Sequence, residues 1–195
     1  GSPLAQEEYV NKYLAMDDRG CFEPVYKAHG KQMTDEKRAR LIAKKTALYQ
    51  KTAAQNLVIL PGVVEFVMAV SQKYPVAMAS GALKEEVLLM IEAAGIRQYF
   101  DVVVAAEDVK NGKPAPDAYL KALEELNRKH PTKNIHPSEC LVVEDSKHGM
   151  ISAQTAGMKV VAVTTTYPKE ELSAADRVVP VLTAIRLKDL EALFA

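Results

Sequence analysis

Four runs of this 195-residue chain are apolar with almost no polar alternation: PVAMAS (75–80), DVVVAA (101–106), CLVVE (140–144) and KVVAVTT (159–165). A strand with one wet face alternates polar and apolar residues, so runs of this kind belong to strands covered on both faces. Helical periodicity fills the spaces between them. After Pro61-Gly62, Val63, Phe66, Val67 and Val70 share one helical face, and Leu83 to Ala94 reads as a helix that Gly95 stops. Pro116 to about Lys129 carries Tyr119, Leu120, Leu123 and Leu126 at helical spacing, and Lys147 to Ala156 ends at Gly157. Repeated strand–helix–strand units give a parallel sheet with right-handed crossovers, an α/β, Rossmann-like core. KVVAVTT is the last clear strand, and Leu187 to Leu193 is predicted to close the fold as a helix.

The first part of the chain differs. From Gln6 to about Ala54 only helical spacing is visible: Tyr9, Tyr13 and Leu14, then Phe22, Val25 and Tyr26, then Leu41, Ile42, Leu48 and Tyr49. The Lys- and Arg-rich stretch 37–51 reads as a solvated helix face. The predicted division is a small all-helical cap over 1–58 and an α/β core over 59–195. Gly1-Ser2 reads as the remnant of a removed tag and is set aside.

Charge narrows the partners. Lys plus Arg equals Asp plus Glu, 25 each, which argues against broad electrostatic binding to nucleic acid or a membrane surface. No run of about 18 apolar residues offers a membrane span, and no secretory leader is visible. Cys21 and Cys140, the only two cysteines, read as unpaired thiols of a reducing compartment, so the expected location is cytoplasmic. His29, His130, His136 and His148 are scattered without ligand spacing.

In parallel α/β sheets the working site lies beyond the carboxyl ends of the strands. Ser80 ends the first run and Gly81 follows it; a hydroxyl beside free backbone N–H groups suits an anion such as phosphate, although alone it reads as a helix N-cap. After DVVVAA comes EDVKNGKPAPD, in which Pro114 and Pro116 stiffen the approach of Lys113, a point charge suited to phosphoryl oxygens. Glu107 and Asp108 read as loop acids. The third run ends in Glu144-Asp145. Adjacent carboxylates repel unless a cation or donors intervene, and Mg²⁺ uses one or two carboxylates with phosphate oxygen and water. Ser146 and Gly149 fit a tight turn into the next helix.

With hydroxyl, lysine and acid pair in that order, the stretches VAMASGA, GKPAPDAYLKAL and VVEDSKHGMISAQTAGMKVVAV resemble the haloacid dehalogenase superfamily, and within it the β-phosphoglucomutase-like phosphatases. The resemblance spans essentially the whole chain. It implies that Ser80 and Gly81 bind the transferring phosphoryl group, that Lys113 neutralises it, and that Asp145 binds Mg²⁺ with help from Glu144. In the cap, Asp17, Asp18 and Arg19 lie where relatives reach substrate, and Arg19 is a candidate contact for a distal phosphate or hydroxyl. The implied activity is Mg²⁺-dependent hydrolysis of a small phosphorylated metabolite such as a sugar phosphate. A phosphosugar mutase and a non-catalytic ligand- or partner-binding protein stay open; a dehalogenase, which needs no metal, fits the acid pair less well.

One departure matters. The family's nucleophile is an Asp ending the first core strand, with an acid–base Asp two residues on. No Asp-x-Asp occurs in these 195 residues. The resemblance therefore implies that the opening strand, central in the sheet between those carrying Ser80 and Glu144, is missing with its nucleophile. Two exposed edges, strand exchange or dimerisation through them, and near-zero turnover of this chain alone are the expectations.

Overall fold

The computed structural model describes residues 5, 8, 12, 13, 17–56 and 58–195, apart from the side chains of Arg19, Gln50 and residues 53–56. Tyr9 and Leu14, expected on a helix face, lie outside the described residues.

Among the elements whose bounds are described, the first are the helices α1 (Asp18–Ala28) and α2 (Asp35–Asn56). Asp17 starts α1 as its N-cap, accepting from the Gly20 N–H at 2.6 Å. Much of α2's basic face is solvated as expected, but Leu48 is 58% exposed instead of packed, and Lys45 turns inward. The remainder runs α3 (Val63–Ser71), β1 (Ala77–Ala79), α4 (Lys84–Ala93), β2 (Val102–Val104), α5 (Asp117–Lys129), β3 (Leu141–Glu144), α6 (Lys147–Thr155), β4 (Lys159–Val163), β5 (Arg177–Val179) and α7 (Leu187–Glu191). Every strand pairing is parallel. The strands are shorter than the apolar runs that predicted them, and β5 adds one that the sequence reading left out. The signal there is weak: only three residues pair, and the first is an arginine.

Covering on both faces explains the unbroken apolar runs. Met78 and Val103 face α3 and α4, packing with Val64, Val67, Val87 and Ile91. Ala77, Ala79, Val102 and Val104 face α5 through Ala118 and Ala122. Val142 and Val160 pack under α5 and α6 through Leu123, Met150 and Ala153, while Val161, Val163 and Val179 face Phe66 and the α7 residue Leu190.

The strands form two sheets, β1–β2 and β3–β4–β5, and among the described residues no strand joins β1 to β3. The helices span this division on both faces. On one side α5 sends Ala118 and Ala122 to β1–β2 and Tyr119 and Leu123 to β3–β4. On the other, α3 sends Val63 and Val67 to the first sheet and Phe66 to the second. The outer edge of β2 is closed by lysines: Lys84 donates to the Val103 carbonyl at 2.9 Å and Lys129 to the Asp101 carbonyl at 3.0 Å.

Candidate active site

The carboxyl ends of β1 and β3 meet at Lys113. Its ammonium donates to the carbonyl of Ala79, the residue before Ser80, at 3.2 Å. It also pairs with Glu144, the residue before Asp145. The ring of Tyr119 lies 4.7 Å below the same ammonium. Lys113 and Glu144 side chains are only 9% and 8% exposed, so this is a buried ion pair. It sits where the two sheets face each other. The loop that delivers the lysine is fixed by its own bonds: Ala115 N–H donates to Gly112 at 3.0 Å, and the Ser152 hydroxyl to the Ala115 carbonyl at 2.6 Å. The Lys113–Pro114 peptide is cis.

Glu144 is fully engaged. One oxygen accepts from Lys113 and from the Tyr119 hydroxyl at 2.6 Å. The other accepts from the Asp145 N–H (3.1 Å), the Ser146 N–H (3.2 Å) and the Ser146 hydroxyl (2.9 Å). A carboxylate has about four lone-pair directions, so none is left for a cation. Burial pushes this carboxyl up, but the Lys113 charge and the hydroxyl donors outweigh it and hold it below the usual glutamate range. The Tyr119 phenol is driven upward by burial and then by the Glu144 charge. The expectation that Glu144 helps hold Mg²⁺ is therefore corrected: this carboxylate faces Lys113 and anchors it. Gly149 has a different reason from the turn expected of it. It lies inside α6, and a Cβ there would collide with the Glu144 carboxylate.

Asp145 points elsewhere. Its Oδ2 accepts from the Thr166 hydroxyl at 2.5 Å, with Thr165 at a longer 3.4 Å. Its Oδ1 has no hydrogen-bond partner among the described residues. Ser146 stands in the turn before α6 and caps it, accepting from the Gly149 N–H at 3.0 Å.

Ser80 is not the helix N-cap that it resembles in sequence. Leu83 holds that position, and Ser80 Oγ instead accepts from the Ala82 N–H at 3.1 Å, bending the chain just past β1. The two acids that follow β2 are structural: Glu107 accepts from the Lys84 N–H at 3.0 Å, and Asp108 pairs with the Lys84 ammonium at 2.5 Å.

The helical segment abuts these tips at two places. A Cβ on Gly112 would lie 3.0 Å from the Asp17 carboxyl carbon, which puts the start of α1 against the lysine loop. Glu86, 1% exposed, accepts from Lys45 at 3.0 Å, Thr46 at 3.2 Å and the Leu83 N–H at 3.3 Å. Lys45 also meets Asp18 at 3.3 Å. Burial would lower the lysine, but Glu86 and Asp18 together raise it. Arg19 lies in α1, with its side chain outside the described residues.

The structure thus gathers Ser80, Lys113, Glu144 and Asp145 at one sheet end. A lysine has three N–H donors, and two of Lys113's are used within the protein, leaving one for an incoming anion. The family model for haloacid dehalogenase-like hydrolases matches residues 2–163. The chain belongs to the haloacid dehalogenase-like hydrolase family. Among its relatives is protein CbbY of Rhodobacter capsulatus, 35% identical over 161 residues, covering 80% of this chain and 68% of CbbY. Fructose-1-phosphate phosphatase YqaB of Escherichia coli is 33% identical over 119 residues, covering 58% of this chain and 60% of YqaB. The chain therefore matches about two thirds or less of these relatives' lengths. β-Phosphoglucomutase of Clostridium difficile superposes over 100% of this chain and 83% of its own, with a TM-score of 0.81 at 21% identity, a likeness of fold.

Among the described residues no group of three or more His, Cys, Asp or Glu side chains could hold a metal. Asp145 Oδ1 has no hydrogen-bond partner among the described residues and is open to a cation. One carboxylate with phosphate oxygen and waters is the least that Mg²⁺ uses, so the residues present fit a weak, phosphate-assisted site.

Proposed function

We propose that these 195 residues form the phosphate-gripping part of a Mg²⁺-dependent phosphatase acting on a small phosphorylated metabolite. The observation that carries this reading is the reach of Lys113 to both Ala79 and Glu144, which joins the Ser80 tip to the Asp145 tip. Ser80 and Gly81 bind phosphoryl oxygens, and Lys113 offers them its remaining N–H. Asp145 Oδ1 holds Mg²⁺, which when bound neutralises charge on the phosphoryl group. Preorganised charge of this kind is the main catalytic resource in phosphoryl transfer. The relatives named as phosphatases support the substrate class. The helical 1–58 segment serves as cap over a 59–195 core, with Arg19 a candidate contact for a distal phosphate or hydroxyl. Free Cys21 and Cys140 fit a cytoplasmic setting.

In this reading the covalent nucleophile is an Asp on a strand outside these residues, and that strand pairs between β1 and β3. The division of the sheet at that place, roofed by α3 and α5, and the lysine closure of the outer β2 edge support it. Without that strand, a neighbouring copy can exchange one across the same edges. The absence of any Asp-x-Asp in the sequence favours a second reading, a ligand-binding protein without turnover. The two are separated by assaying phosphate-ester hydrolysis with Mg²⁺ for this chain beside a version extended at its N-terminus by the upstream coding sequence. The first reading requires activity in the extended version alone; inactivity of both favours the second.

A further inference from the structure

We infer that Thr166 is a positioning residue for Asp145, and that by occupying Oδ2 it makes the site prefer Mg²⁺ to Ca²⁺. The inference rests on the metal-site reading proposed above and deepens it. Asp145 stands at a strand tip, where an unrestrained carboxylate samples several rotamers. Thr166 removes that freedom with a 2.5 Å hydrogen bond to Oδ2. Oδ1 is left without a hydrogen-bond partner among the described residues.

The hydroxyl is delivered by a segment clamped on both sides. Before it, β4 ends in buried Val163, and the Thr164 N–H donates to the Val179 carbonyl at 3.0 Å. After it, Tyr167 is 4% exposed and packs with Leu172. Lys147, two residues past Asp145, lies 5.3 Å from the Tyr167 ring and pairs with Glu171. The clamp therefore joins the Thr166 segment to the start of α6, and the Thr166–Asp145 distance is set by packed elements on both sides.

Coordination chemistry turns this into selectivity. Ca²⁺ often takes both oxygens of a carboxylate, whereas Mg²⁺ takes one in near-octahedral geometry. With Oδ2 engaged by Thr166, Asp145 offers a single oxygen. Removing the hydroxyl loosens the carboxylate and opens the two-oxygen mode to the larger ion.

The test is Mn²⁺ binding to this chain in the presence of inorganic phosphate, followed by electron paramagnetic resonance, with Mg²⁺ and Ca²⁺ as competitors. Asp145→Asn reports on the metal reading itself. The expected result is Mn²⁺ binding that Asp145→Asn abolishes, an affinity loss of about 10-fold in Thr166→Val, a Mg²⁺-over-Ca²⁺ preference reduced in the same variant, and recovery of both in Thr166→Ser. Equal affinity and unchanged preference in folded Thr166→Val would overturn the positioning role while leaving the metal site standing. No Mn²⁺ binding by the unaltered chain, or full binding by Asp145→Asn, would overturn the metal reading and this inference with it. Thr166 is exposed, so loss of fold is not expected from the substitution; a circular dichroism melt checks that.

Discussion

Lys113 and Glu144 form a buried ion pair where two parallel sheets meet, and the Lys113 ammonium also reaches the end of β1 through the Ala79 carbonyl. Removing one member leaves an uncompensated charge in a site that excludes water. Lys113→Met is expected to destabilise the protein by about 3–5 kcal/mol. The double variant Lys113→Met/Glu144→Gln removes both charges and is expected to recover part of that loss. Urea denaturation of the unaltered chain, Lys113→Met, Glu144→Gln and the double variant measures it; additive losses would show that the two residues do not act as a pair.

Acid stability follows from the same pair. The folded pKa of Glu144 lies below its ordinary value of 4.5. Between the two values the unfolded chain binds more protons, so stability rises with pH there and is lost as pH falls through the folded value. The double variant lacks this contribution. Its stability is expected to fall less steeply than the unaltered chain's below about pH 4.5. Asp101 and Asp176, also lowered, contribute equally to both proteins and drop out of the comparison. Parallel denaturation midpoints across that range would contradict the assignment.

Tyr119 and Gly149 serve the Glu144 carboxylate in different ways. Tyr119→Phe keeps the ring under Lys113 and deletes one donor to a charged oxygen, a loss of about 1.5–3 kcal/mol. Gly149→Ala places a methyl group against that carboxylate and is expected to cost about 1–3 kcal/mol, although alanine favours helix elsewhere. Thermal melts of both variants check these values; a stabilised Gly149→Ala would mean that the carboxylate has room to move.

Glu86 ties the helical segment to the loop that carries Ser80. Glu86→Gln keeps the shape but weakens the hold of Lys45, while Lys45→Met leaves Glu86 buried without its lysine. Both are expected to increase cleavage by protease in the exposed stretch 58–61, more so for Lys45→Met. Unchanged cleavage in both would show that the contact does not fasten the segment.

How much of this was legible in the sequence depends on whether the signal was local. The apolar runs fixed the parallel strands, since covering on both faces leaves a mark in each run by itself. Ser80, Lys113 and Asp145 stand out as candidates because each ends or follows such a run. The part played by Glu144 was misread, because adjacency to Asp145 suggested a shared cation, whereas alternation along β3 turns Glu144 toward α5 and Lys113. Tyr119 looked like one apolar residue of a helical face; its hydroxyl found a partner 25 residues away. Thr166 and the Lys45–Glu86 contact carry no local pattern at all, and β5 is too short to stand out.

The most direct test of the account is hydrolysis of p-nitrophenyl phosphate with Mg²⁺ by this chain and by the N-terminally extended version, each with and without Asp145→Asn. The account predicts near-zero turnover for the 195-residue chain and saturable, Mg²⁺-dependent turnover for the extended one, abolished by Asp145→Asn. Saturable turnover by the 195-residue chain that Asp145→Asn removes would contradict the assignment of the nucleophile to a strand outside it.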